Sequence, residues 1–122
     1  MNKRNTTRVR IALSVLLLAA VVVPAVAQAQ QTVEITVTSR GFDFTPEEIR
    51  VNLGDRVVLT YENGGGFHDW VLDEFDAATR QISGGQSQTI EFVADKAGEF
   101  EFYCSVGNHR ARGMVGTFIV EP

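Results

Sequence analysis

Short runs in which apolar and polar residues alternate, set apart by turn residues roughly every ten positions, constrain this chain more than any other feature. Thr32–Thr38 places Val33, Ile35 and Val37 on one face, and Glu48–Leu53 does the same with Ile49, Val51 and Leu53. Arg56–Tyr61 follows with Val57, Leu59 and Tyr61. Ser87–Val93 carries Ile90 and Phe92, Glu99–Tyr103 carries Phe100 and Phe102, and Thr117–Val120 closes the series. A period of two is the mark of a half-buried strand. Pro46 cannot donate to a ladder, so pairing is expected to begin only after it. Gly54-Asp55, Gly84-Gly85 and the stretch Asp95–Gly98 are turn signals. No long segment past residue 30 has a helical period, and Asp73–Arg80 predicts at most a short helical turn. The pattern predicts an all-β, Greek-key β-sandwich.

The first 29 residues read differently. Lys3, Arg4, Arg8 and Arg10 precede Ile11–Val23, an apolar run broken only by Ser14, and Pro24 leads into Ala25-Val26-Ala27 and Ala27-Gln28-Ala29. That is the order of a signal peptide, cleaved after Ala27 or Ala29. The expected organisation is a signal peptide over 1–29 and one domain over 30–122. The protein is then periplasmic or extracellular, and membrane-anchored if the signal stays uncleaved. No Cys lies near the cut to carry a lipid.

Removal of the leader also shifts the charge. Four of the 11 basic residues go with it and no acidic one, so seven basic against 15 acidic residues turn −4 into −8. Such an acidic domain is a poor match for nucleic acid. With one Cys there is no internal disulfide, although an oxidising compartment would allow one. A small exported domain without that staple gains most from a bound metal.

The chemistry concentrates in a few rare residues. Beyond the initiator Met, the chain has one Cys, two His and one Met, arranged as His68 followed by Cys104-x4-His109-x4-Met114. Cys104 ends the Glu99–Tyr103 run, and Met114 stands just before Thr117–Val120. The loop between them must fold back, with Gly107, Asn108 and Gly113 as turn-prone positions. His68 follows Gly64-Gly65-Gly66 and opens an expected Asp69–Leu72 strand at the same end. A thiolate, two imidazoles and a thioether form a soft donor set that favours copper over hard cations. Zinc ordinarily takes its fourth ligand from Cys, His, carboxylate or water rather than Met.

These residues lie within a wider pattern. It runs through Phe44-x-Pro46-x-x-Ile49-x-Val51-x-x-Gly54-Asp55-x-Val57, Asn63 before His68, Gly98-x-Phe100-x-Phe102-Tyr103-Cys104, and His109-x4-Met114-x-Gly116-x-Phe118-x-Val120. Over essentially the whole chain past the leader, it resembles the cupredoxins, the small blue-copper proteins of the plastocyanin, azurin and rusticyanin type. The Cys-x4-His-x4-Met spacing is more similar to rusticyanin than to plastocyanin, whose first interval is shorter. The resemblance implies one mononuclear type 1 copper, with His68, Cys104 and His109 as equatorial ligands and Met114 as the axial one. It departs at Asp69, where plastocyanin and azurin have Asn. A carboxylate there can accept from Ser105 and puts a negative charge near the metal, which favours Cu(II).

The function expected is an exported carrier of single electrons, cycling between Cu(I) and Cu(II) and exchanging with redox protein partners. The alternative is periplasmic copper storage or delivery. No small-molecule pocket or acid–base pair suggests an enzyme, and a monomer is expected. Trp70, two residues beyond His68, should point into the core. Arg110 and Arg112 flank His109 as a local positive rim. Asp73, Glu74 and Asp76 read as a solvated acidic face.

Overall fold

The computed structural model describes residues 29–122; apart from Ala29, the expected leader lies outside the described residues. Alternating segments become strands where anticipated: β1 (Thr32–Arg40), β3 (Glu48–Asn52), β4 (Arg56–Asn63), β9 (Ser87–Val93), β10 (Gly98–Tyr103) and β11 (Val115–Glu121). Shorter strands fill the gaps: β2 (Asp43–Thr45), β5 (Phe67–His68), β6 (Val71–Leu72), β7 (Ala77–Ala78) and β8 (Ile82–Ser83).

Among the described residues these strands form sheets ordered β2-β1-β4-β9 and β3-β11-β10-β6-β7, with β5 and β8 as a separate pair. The all-β sandwich is as expected, and both larger sheets are mixed. β1 runs parallel to β4 in register from Thr32 opposite Arg56 to Ser39 opposite Asn63, and β3 runs parallel to β11. The remaining ladders are antiparallel. Inward positions of the two sheets meet in one apolar cluster that includes Val37, Leu59, Trp70, Phe102 and Phe118, all fully buried. Each such large side chain contributes about 1.5–3 kcal/mol by leaving water.

Three local expectations need correction. Pairing does occur before Pro46, because β2 is complete at Thr45 and bonds to β1 through Thr38 opposite Thr45. The Thr45-Pro46 peptide is cis. Leu53 is not on the buried face: the strand stops at Asn52, and Leu53 is 45% exposed in the following turn. The expected Asp69–Leu72 strand is shortened to β6 at Val71–Leu72. Asp69 turns its side chain to Ser105, and the Trp70 N–H is bonded by the Thr79 hydroxyl at 2.9 Å instead of by a neighbouring strand. The short helical turn expected within Asp73–Arg80 is present as a 3-10 turn at Asp73–Phe75, after which β7 pairs with β6.

Candidate metal centre

Three donors converge at one end of the sandwich. His68 ends β5, Cys104 directly follows β10, and His109 lies midway along the loop to β11. That loop folds back as its spacing required. The His109 N–H bonds the Val106 carbonyl at 3.0 Å, and the His109 carbonyl accepts from the N–H of both Arg112 and Met114 at 3.0 Å. Gly107 and Gly113 adopt positive φ angles of 49° and 94°, which side-chain-bearing residues seldom adopt. Met114 is fully buried, and its carbonyl accepts from the Cys104 N–H at 3.1 Å, so the loop's two ends are stitched together.

The donor atoms stand close. His68 Nδ1 lies 3.0 Å from His109 Nδ1, and Cys104 Sγ lies 3.7 and 3.5 Å from those two nitrogens. Nitrogen and sulfur donors about 2.0 and 2.3 Å from one shared ion stand roughly 3.3–3.7 Å apart at trigonal to tetrahedral angles. The two N–S edges fall within that span, and the N–N edge is slightly shorter. Two imidazole nitrogens facing each other at this distance also need a proton or a cation between them. The residues therefore fit a metal, and the soft thiolate and thioether select copper. The four side chains are arranged as a type 1 copper site.

Burial sets the electrostatics. Cys104 is fully buried, and desolvation pushes its thiol pKa up, while backbone N–H groups of Asp69 and Val106 pull it down by bonding the sulfur. A bound cation deprotonates such a thiol outright. His68 is 4% exposed, and desolvation followed by the nearby His109 lowers its pKa. A neutral imidazole is what a metal requires.

Asp69, 3% exposed, joins the two ligand segments. The Ser105 N–H donates to Asp69 Oδ1 at 2.6 Å and the Ser105 hydroxyl donates to Oδ2 at 2.5 Å. The residue after His68 thus clamps the residue after Cys104, and the carboxylate occupies its acceptor sites with bonds the sequence had only allowed for.

The profile of the cupredoxin-like domain matches residues 10–120. This chain is a cupredoxin. It is 32% identical to the copper-resistant cuproprotein CopI of Rubrivivax gelatinosus, over 77% of the chain and 68% of CopI. It is also 32% identical to chloroplastic plastocyanin B of Populus nigra, over 63% of the chain and 51% of that protein. The chain thus spans about two thirds of the one relative and half of the other. Among solved structures, dithionite-reduced auracyanin from Roseiflexus castenholzii superposes with a TM-score of 0.67 at 24% identity, covering 73% of the chain and 97% of auracyanin.

Around the metal end of this cupredoxin, the two imidazoles differ in access: His109 is half-buried and His68 is buried. Phe42 stands edge-on to His109 with ring centroids 5.0 Å apart, and the Arg112 guanidinium lies 3.9 Å above the Phe42 ring. Phe42, Phe67 and Val106 line the same shallow depression as His109, and Phe67 is 47% exposed. No sequence motif pointed to Phe42; it comes from the β1–β2 turn, far from the ligand loop in the chain.

Arg110 behaves differently from its expected role. Its Nε donates to Glu101 at 2.7 Å and its guanidinium lies 3.9 Å over the Tyr103 ring, so much of its charge is answered locally. Arg112 has no carboxylate partner among the described residues. In the acidic group, Asp73 accepts from the Tyr103 hydroxyl at 3.0 Å, and Asp73, Glu74 and Asp76 line the surface as a solvated face. Trp70 is fully buried as expected, tilted against Phe102 at 5.4 Å between centroids.

Proposed function

We propose that this cupredoxin is an exported carrier of single electrons, with His68, Cys104 and His109 as equatorial copper ligands, Met114 as the axial one, and residues 1–29 as its removed signal. The observation that carries the reading is the buried cluster of two Nδ1 atoms and one Sγ, with edges of 3.0, 3.5 and 3.7 Å. Copper bound there supplies the electron by passing between Cu(I) and Cu(II).

The chain's own residues do the rest. The ligand loop is tied at both ends by the Cys104–Met114 bond and across to the other segment by Asp69 and Ser105. Such a frame resists the change of geometry that each oxidation state would otherwise prefer, and so keeps the reorganisation small. Burial of Cys104, His68 and Met114 excludes water. The half-buried His109 edge, set among Phe42, Phe67 and Val106, offers electrons a short route to a redox protein seated against that face. Both His of the chain are spent on one centre, which leaves none for a second copper of the kind a catalytic oxidase needs.

Copper-loaded protein should be intensely coloured through charge transfer from the Cys104 thiolate, and reduction should bleach it. Cys104→Ala should remove the colour entirely. Preferential, colourless zinc uptake in direct competition would reject the reading. The likeness to a copper-resistant cuproprotein favours one second reading, copper storage or delivery in the periplasm. Rapid, repeated oxidation and reduction by a protein partner without loss of copper supports the carrier, and net transfer of copper to an acceptor supports the alternative.

A further inference from the structure

His68 is presented by a segment that has no side chains of its own to hold it: Gly64, Gly65 and Gly66 precede it, and Gly66 has a φ of +81°. The His68 ring rests against this loop. A Cβ on Gly66 would lie 2.8 Å from His68 Nε2, and the Gly65 carbonyl accepts a hydrogen bond from the ring. Since Nδ1 faces Cys104 and His109, that bond belongs to the Nε2 side. The loop must therefore be held in place by something else.

Asn63, at the end of β4 and 2% exposed, does so. Its Oδ1 accepts from the Gly65 N–H at 3.0 Å and from the Ser39 hydroxyl at 3.2 Å. Its Nδ2 donates to the Ile82 carbonyl at 2.8 Å and to the Gly66 carbonyl at 3.2 Å. A side-chain amide has two donor hydrogens and two acceptor lone pairs, and here all are used. Ile82 in turn pairs with His68 across the β5–β8 ladder. One amide thus fastens both the loop before His68 and the strand opposite it. Behind it, Ser39 Oγ lies 2.7 Å from the Tyr61 hydroxyl, so the outer end of the network faces away from the site.

We propose that Asn63 is the positioning residue of the metal centre: it holds the Gly65 carbonyl where it fixes the proton of His68 on Nε2 and leaves the Nδ1 lone pair free for copper. This rests on His68 being a ligand. A second-rank contact of this kind sets ring orientation and ligand basicity, and its loss weakens metal binding about 10–100-fold.

The test compares Asn63→Ala with Tyr61→Phe, which removes the outer hydrogen bond of the same network and leaves every Asn63 bond in place. In the diamagnetic Cu(I) protein, nitrogen-resolved NMR should show a slowly exchanging His68 Nε2–H. Asn63→Ala should accelerate its exchange at least about ten-fold and should release copper to a Cu(I) chelator about 10–100-fold faster. Tyr61→Phe should melt earlier yet keep the protected proton, the release rate and the visible spectrum. If Asn63→Ala does not fold, Asn63→Asp is measured instead; it keeps the acceptor for Gly65 and sets an oxygen against the Ile82 and Gly66 carbonyls. Variants at 63 that lose only melting temperature overturn the proposal, as does a wild-type protein with no protected Nε2–H. A wild type that takes up no copper overturns the ligand reading as well.

Discussion

At the residue scale, what distinguishes this centre is a carboxylate held beside it with little access to water. Asp69 has no cationic side chain paired with it among the described residues, and its bonds go to Ser105. Its charge falls hardest on the reduced site, where copper carries one positive charge fewer. A unit charge about 8 Å from the metal, at an effective dielectric near 20, is worth roughly 2 kcal/mol. Asp69→Asn should therefore raise the reduction potential, by a fraction of that figure after screening. The amide keeps an acceptor for the Ser105 N–H and can donate to its hydroxyl, so the visible spectrum should persist. Voltammetry decides, and an unchanged potential would mean the charge is silent. Met114→Leu should also raise the potential while the colour remains, because a weak axial donor that favours Cu(II) is lost. A variant that no longer bound copper would show Met114 holding more than the axial place.

At the scale of strands and loops, close approach governs tolerance. Gly116 in β11 leaves no room for even a methyl group: a Cβ there would lie 2.1 Å from Phe102 Cζ and 2.7 Å from the Glu47 carbonyl oxygen. Gly116→Ala should destabilise the fold by about 1–3 kcal/mol, read as a lower melting temperature. Tyr61 gives a second measurable effect. Burial pushes its pKa from 10.0 up to about 12. Its contribution to stability is intact below pH 10 and is lost as pH rises toward 12, since the unfolded chain ionises first. Tyr61→Phe should flatten that alkaline decline in denaturant melts.

The same scale explains what the sequence made legible. Long strands are visible because their period of two extends over many residues, as in β1 and β4. The ligand set is visible because Cys104, His109 and Met114 are rare and evenly spaced. β2, β5 and β7 are too short to display a period. The loss of the expected strand at Asp69 and Trp70 comes from partners 36 and 9 positions away, Ser105 and Thr79, which no local pattern announces. The engagement of Arg110 by Glu101 is likewise a matter of a neighbouring strand.

For the whole molecule, charge is unevenly placed. The domain past the leader is strongly acidic, yet Arg112 stands over Phe42 beside the half-buried His109. An acidic partner is repelled by most of the surface and tolerated at the metal end. Arg112→Ser should slow association with such a partner and weaken its dependence on ionic strength, leaving the copper spectrum intact. Arg110→Ser should do less, because Glu101 already offsets it. Stopped-flow rates over a salt series measure both, and equal slopes for Arg112→Ser and the parent would return Arg112 to an ordinary solvated side chain.

The parallel pairing of β1 with β4 also has an orientational consequence. β1 enters at Thr32 opposite Arg56 and leaves at Ser39 opposite Asn63, beside the glycine loop that presents His68. At about 3.3 Å per residue, seven steps of strand separate its two ends by roughly 23 Å. The N-terminal attachment point and the copper thus occupy opposite poles of the sandwich. A protein tethered through its N-terminus, whether by a retained leader or by a linker on a gold electrode, would stand with His109 facing outward, open to collisions from solution and remote from the support.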